Sequence, residues 1–190
     1  MSHDDVQMQH LELAMLERGL DEIRRSPMET GTVELIVRRP EVEAREVLPE
    51  AELDPLEGLV GDCWRTRGSK ATEDGSAHPD MQLTLMNARM AALVAGSRER
   101  WPLAGDQLYV DMNLSYANLP PGTRVELGSA VIEITAEPHT GCGKFIKRFG
   151  VDAQRFVNSG AGRELNLRGI YAKILAAGTV RTGDQIRKTA

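Results

Sequence analysis

Arg124-Val125-Glu126-Leu127-Gly128-Ser129-Ala130-Val131-Ile132-Glu133-Ile134-Thr135 is a β-hairpin written in local sequence. Apolar and polar side chains alternate on both sides of a Gly-Ser pair, and glycine at the first of two loop positions specifies a type II′ turn. The same two-residue period recurs upstream. Val33, Leu35 and Val37 are expected on one face of a strand, with Glu34, Ile36 and Arg38 on the other, and Leu108, Val110 and Met112 alternate in the same way. A short β-like piece falls near residues 45–48, a buried strand at 82–86, and a closing strand at 170–175, followed by the segment 178–186. The helical signals are shorter. Asn87 caps a helix over 88–95 that stops at Gly96, and Asp152 is expected to cap another. Leu11, Met15, Leu16, Leu20 and Ile23 mark an amphipathic helix within residues 5–24, ended by Ser26-Pro27 and free to pack on the body or on a second copy. Many short strands joined by short helices indicate a mainly β fold, a twisted barrel rather than a doubly wound parallel sheet. The chain divides into a helical extension and linker, residues 1–31, and a barrel domain, residues 32–190.

A chain of 190 residues can bury one sizeable core, and 41 % hydrophobic with 27 % charged residues is ordinary globular usage. Aromatics, at 4 %, are too few for a nucleic-acid surface built on stacked rings, and the core must be mainly aliphatic and Met-filled. With 23 basic against 28 acidic residues the net charge is −5, and any anion site must be local. Cys63 and Cys142 form no Cys-x-x-Cys pair and no disulfide framework, which suits a reducing compartment. The start Met1-Ser2-His3-Asp4-Asp5 lacks the features of a signal peptide, and the longest apolar run, residues 90–95, is too short to span a bilayer. A cytoplasmic protein that binds neither nucleic acid nor membrane is expected.

Cys142 is the residue best placed for chemistry. Gly141 and Gly143 let the backbone turn around it, and Lys144, Lys147 and Arg148 follow closely, so that positive charge would favour the thiolate. A small residue packed in a tight turn has the same sequence signature. His139, three residues earlier, could orient or deprotonate the thiol, although no third group completes a triad and a structural histidine fits the position equally. Cys63, beside Asp62 and Trp64, is assigned to packing, because a neighbouring negative charge disfavours a thiolate. Arg89 and Arg168 are candidate anion holders, or surface ion-pair residues. The four histidines and two cysteines show no zinc spacing, and neither Gly141-Cys142-Gly143 nor Gly160-Ala161-Gly162 is a nucleotide-binding fingerprint.

Several segments taken in order resemble a known family. They are Gly61-Asp62, the run from Asn118-Leu119-Pro120-Pro121-Gly122 into the hairpin, Cys142-Gly143-Lys144-Phe145, Arg168-Gly169-Ile170-Tyr171-Ala172 and Gly178-Thr179-Val180-Arg181-Thr182-Gly183-Asp184. Their order and spacing, over about residues 32–186, resemble the MOSC domain, named for the C-terminal part of molybdenum-cofactor sulfurases. The resemblance implies a β-barrel like that of a pyruvate kinase domain. It implies Cys142 as a persulfide carrier or molybdenum ligand, with His139 beside it and Lys144, Lys147, Arg89 and Arg168 stabilising the thiolate or the phosphate of the molybdopterin cofactor. It further implies a sulfur transferase or a component of a molybdenum-dependent oxidoreductase. A cysteine desulfurase would then be the partner that brings pyridoxal phosphate, or a redox partner would supply electrons. Two features depart from the family pattern. His139-Thr140-Gly141 separates Pro138 from Cys142 where a proline commonly precedes the cysteine directly, and the family's Gly-Glu-Asn-Leu stretch has only echoes, such as Gly105-Asp106-Gln107-Leu108. The competing reading is a non-catalytic barrel that holds a small anion or a partner, with Cys142 structural.

Overall fold

The computed structural model describes residues 10–141 and 143–189. In chain order its elements are α1 (Leu13–Arg18), α2 (Leu20–Arg24), β1 (Thr30–Arg38), β2 (Glu46–Leu48), β3 (Glu50–Asp54), β4 (Gly58–Leu59), α3 (Trp64–Arg67), β5 (Leu83–Asn87), α4 (Ala88–Ala95), β6 (Leu108–Asp111), β7 (Arg124–Leu127), β8 (Ala130–Ile134), α5 (Gly143–Phe149), α6 (Val151–Val157), α7 (Gly160–Glu164), β9 (Ile170–Ala176), β10 (Gly178–Arg181) and β11 (Gln185–Lys188). Seven strands close a barrel in the order β11-β7-β8-β9-β5-β6-β1, and the β1–β11 pairing seals it. β1 is long enough to pair with β11 at its start, β6 in its middle and β2 at its end. β10, β3 and β4 form a separate small sheet.

The hairpin forms as its sequence dictates. Leu127 pairs with Ala130, Gly128 has φ +58, and Ser129 stays out of the positive-φ region, which is the type II′ geometry. Asn87 also caps α4 as expected, its Oδ1 accepting the Met90 N–H at 3.0 Å. Helix and strand contents are comparable, so the barrel carries more helix than its short-strand pattern suggests.

Two hydrophobic clusters divide the interior. Inside the barrel lie Val33, Ile36, Leu85, Val110, Val125, Ile132, Ile174 and Ile186 with other small apolar residues, and no aromatic ring. Between the barrel's outer face and the helices lie Leu16, Ile23, Leu35, Val37, Trp101, Tyr109, Phe145, Phe149 and Phe156. The strand β1 contributes to both clusters because it carries a bulge. Val33 opposes Val110 and Leu35 opposes Tyr109, so Glu34 is an extra residue and the alternation flips after it. Val33 therefore shares the barrel interior with Ile36, while Leu35 and Val37 face the helices, contrary to the simple alternation.

The N-terminal helix is broken into α1 and α2 and packs back on the body, α1 on α6 and α2 on α4; residues 1–9 lie outside the described part. Asp152 is not the cap of α6, since Gly150 holds that position. It sits in the first turn of α6 and its Oδ2 accepts the Leu13 N–H at 3.3 Å, tying down the start of α1 instead. Among the described residues no helix is long and apolar enough to cross a membrane.

Candidate functional site

Segments that flank the barrel strands converge beneath α5. Arg39 follows β1, Asp62 follows β4, Asp106 precedes β6, His139 follows β8 and Arg168 precedes β9. Gln107 fixes the approach to β6 by accepting from the Thr84 N–H at 2.8 Å and donating to the Gln82 carbonyl at 3.2 Å.

Two buried ion pairs anchor this region. Arg39 grips Asp62 through Nε and Nη2, each at 2.9 Å, and donates to the Gly105 carbonyl at 3.1 Å. Arg168 donates through Nη1 to Asp106 Oδ2 at 2.7 Å and through Nη2 to the Ala104 carbonyl at 2.9 Å, with its guanidinium 5.1 Å from the centre of the Phe145 ring. The side chains of Arg168 and Asp106 are 7 % and 0 % exposed, so each charge depends on the other. Burial pushes the Asp106 carboxyl up, while Arg168 pulls it down; the otherwise uncompensated guanidinium keeps the pair ionised.

His139 lies against this pair. Its ring stacks at 4.6 Å on that of Tyr171, whose hydroxyl pKa burial raises. Burial, Arg168 and Arg39 hold His139 well below its ordinary value, so the imidazole is neutral. Its Nδ1 faces Asp106 Oδ1 at 3.7 Å. Among the described residues five buried side-chain polar atoms lack a hydrogen-bond partner, and three of them, Asp106 Oδ1, His139 Nδ1 and Arg168 Nε, are here. Such atoms are costly to leave unpaired, and their gathering marks a place not optimised for stability.

Above them opens a cavity of about 250 Å³ lined by Arg39, Arg45, Arg67, Lys144, Arg148 and Arg168 and, among the described residues, by no carboxylate. A second cavity, of about 410 Å³, shares His139 and Arg168 with it. Among the described residues Arg45 bonds only to carbonyls, of Pro102 and Ala44. Burial lowers its pKa, and the charges of Arg148 and Arg39 lower it further, which is the signature of concentrated positive charge. A Cβ at Gly105 would lie 3.6 Å from Arg45 Nη2 and 3.9 Å from Arg148 Nη1, so two guanidiniums converge on one spot. Opposing them at the edge, Glu43 pairs with both Lys144 and Arg148 from an exposed loop.

The residues proposed from sequence fall into three groups. His139, Lys144 and Arg168 come together at the cavity. Cys142 lies outside the described residues; Gly141 before it donates to Asn158 Oδ1 at 3.3 Å, and Gly143 after it begins α5. Lys147 is exposed on α5 and does not line the cavity. Arg89 is elsewhere altogether: it bonds Asp111 at 2.7 and 3.0 Å and Glu22 at 2.9 Å, joining α2 to β6, and does not line the cavity. Cys63 is free and buried, as a packing role requires. Sequence reasoning passed over Arg39, Arg45, Arg67 and Asp106, since their partners are distant in the chain.

His78, Asp80 and Glu137 form the one group of potential metal ligands among the described residues, with ligand atoms within 4.8 Å of one another. His78 Nδ1 already accepts the Asp80 N–H at 3.2 Å, and Lys173 lies 3.7 Å from Asp80, so a cation and a hydrogen bond occupy two of its three members.

The family model of the MOSC domain matches residues 75–187. The fold is similar to that of the YuaD protein from Bacillus subtilis, with a TM-score of 0.61 and 19 % identity over 83 % of this chain and 94 % of that one. It is also similar to YiiM from Escherichia coli, with a TM-score of 0.53 and 20 % identity over 84 % and 70 %. YiiM from Geobacillus stearothermophilus gives a TM-score of 0.53 and 11 % identity over 86 % and 75 %. No curated protein sequence matches the chain.

Proposed function

The chain belongs to the MOSC domain family, which is associated with the molybdenum cofactor, and from that premise we propose that its cationic cavity binds the anionic pterin of that cofactor. The observation that carries this reading is the set of six cations with no carboxylate among the described lining residues, in a chain whose net charge is −5. Residues and group fit each other. A phosphate suits convergent guanidiniums, and the unpaired Nε of Arg168 is a buried donor without an acceptor. Arg45, Arg148 and Arg168 would hold the anionic end, with Lys144 at the mouth. When bound, the cofactor supplies a metal centre for sulfur or oxygen-atom chemistry.

The protein's own residues bind, orient and shield. Asp62 and Asp106 neutralise Arg39 and Arg168 from behind and aim the guanidiniums, and Glu43 pairs with Lys144 and Arg148, leaving Arg45 and Arg67 as the lining cations with no ion-pair partner among the described residues. His139, neutral in this field, is available to accept a hydrogen bond from a bound group. We assign Cys142, joined in sequence to a segment with cavity residues on both sides, as the sulfur carrier or the metal ligand. A cysteine desulfurase or an electron donor is the corresponding partner.

The test is the molybdenum and pterin content of protein made in a host that synthesises the cofactor, for wild type, Cys142→Ser and Arg45→Ala. Metal lost in Cys142→Ser and pterin lost in Arg45→Ala support the reading. Absence of both groups from all three proteins, with no persulfide formed on Cys142 by a cysteine desulfurase, leaves a plain anion-binding barrel.

A further inference from the structure

Two histidines line the cationic cavity, and their surroundings call for opposite tautomers. His78 Nδ1 accepts the Asp80 N–H at 3.2 Å, so its proton is on Nε2, which faces Glu137 Oε1 at 3.9 Å. His139 Nδ1 accepts nothing. It faces Asp106 Oδ1 at 3.7 Å, and both atoms are buried without another partner.

With the proton of neutral His139 on Nε2, a nitrogen lone pair would face a carboxylate oxygen, two buried acceptor atoms opposed. With the proton on Nδ1, an N–H faces the carboxylate across the same 3.7 Å, and the contact is attractive rather than repulsive. A protonated Asp106 could also bridge the gap, but it would strip Arg168, only 7 % exposed, of its counter-charge. Among the described residues the charged and titratable groups around His139 are Asp106, Arg168, Arg39 and Tyr171, and of these Asp106 turns a carboxylate oxygen to Nδ1. Space for this arrangement is reserved in the backbone. Gly169 has φ +108, and a Cβ there would press to 3.2 Å from His139 Nδ1 and 2.4 Å from the Leu85 carbonyl oxygen.

We propose that Asp106 is a positioning residue that holds His139 as the Nδ1–H tautomer, so that an unprotonated Nε2 is presented to the cationic cavity as a hydrogen-bond acceptor and base. Asp106 is fully buried and does not line the cavity, whereas His139 does, so the proton is fixed on the side away from the ligand. A site of several cations with an imidazole acceptor among them favours an anion that also carries a proton donor, an O–H, N–H or S–H next to the negative group. Asp106 is also the missing third group behind His139, which precedes Cys142 by three residues. The inference concerns where one proton resides, and it stands whichever anion the cavity takes.

Long-range 1H–15N NMR of the 15N-labelled chain at neutral pH reads the two nitrogens of each imidazole directly. His139→Gln and His78→Gln variants assign the signals. The expected result is a protonated Nδ1 and bare Nε2 for His139, the reverse for His78, and movement of His139 toward a mixture in Asp106→Asn. A protonated Nε2 on His139 in the wild type overturns the proposal, and so does an unchanged tautomer in a folded Asp106→Asn protein. Should that variant fail to fold, the wild-type spectrum decides alone. Cofactor content, measured separately, reports on the cavity's ligand and not on this proton.

Discussion

The barrel interior and the loop cluster beneath α5 are both largely buried, yet they fill that space with opposite chemistry. The interior is aliphatic throughout, from Val33 and Ile36 to Ile132 and Ile186. All three phenylalanines of the chain lie outside it, against the helices, because a narrow closed barrel packs small branched side chains best. The loop cluster buries two guanidiniums, two carboxylates and an imidazole, with three polar atoms unpaired. Apolar replacements of buried ion pairs are often neutral or stabilising, so charges kept at such a place are better explained by a ligand than by stability.

The sharpest way to break that contrast is to remove one partner and then both. Asp106→Ala leaves Arg168 buried and unpaired and should lower unfolding stability by about 3–5 kcal/mol. The double variant Asp106→Leu/Arg168→Met should recover most of that loss in urea unfolding while losing phosphate binding by calorimetry. If the double variant is as unstable as the single one, the ion pair is a structural element and the contrast fails.

Acid offers a second approach. Folding holds His139 neutral, so below its ordinary value, about pH 6.5, the unfolded chain binds more protons and stability falls as pH drops. The slope due to this residue approaches about 1.4 kcal/mol per pH unit. Asp106, raised by burial, contributes the opposite slope, but it is common to wild type and His139→Gln. The difference between their pH–stability curves should therefore carry the imidazole's sign, and parallel curves would place His139 in a solvated setting.

Two arginines sharpen the comparison at the ligand level. Arg45→Ala should weaken inorganic phosphate binding about tenfold, the worth of one charge-assisted hydrogen bond. Arg89→Ala should leave it unchanged and cost at most about 1 kcal/mol, since its ion pair with Asp111 is partly solvated. Equal effects would show that the cavity's field is diffuse rather than local. Ile132→Val, in the interior, should cost about 1 kcal/mol by a cavity term and leave phosphate binding intact. Smallest of all, Glu43→Gln should raise phosphate affinity about twofold, because an exposed carboxylate that competes for Lys144 and Arg148 is worth little.

The same division governs what the sequence discloses. The hairpin is legible because its alternation and its turn are local, and Asn87 with α4 is legible for the same reason. The face assignment of Leu35 and Val37 is not, because the bulge depends on how β6 pairs with β1. Asp152 looks like the cap of its own helix, yet it serves a residue 139 positions away. Arg89 and Arg168 are alike as letters; one meets Asp111, 22 residues on, and the other Asp106, 62 residues back, and only the fold tells which of them faces the cavity. Lys144 and His139 were legible through their closeness to Cys142, whereas Arg39 and Arg45 belong to a loop with no such landmark.

The bulge in β1 also bears on how this chain is to be aligned with others. A homologous strand lacking it spans the same partners with one residue fewer, so the gap belongs at Glu34, between Val33 and Leu35. Placed later, it would pair Leu35 with an inward position and Ile36 with an outward one, and substitutions tolerated on one face would be scored against those of the other. Comparison of variation along β1 should therefore be made in two halves, before and after that single residue.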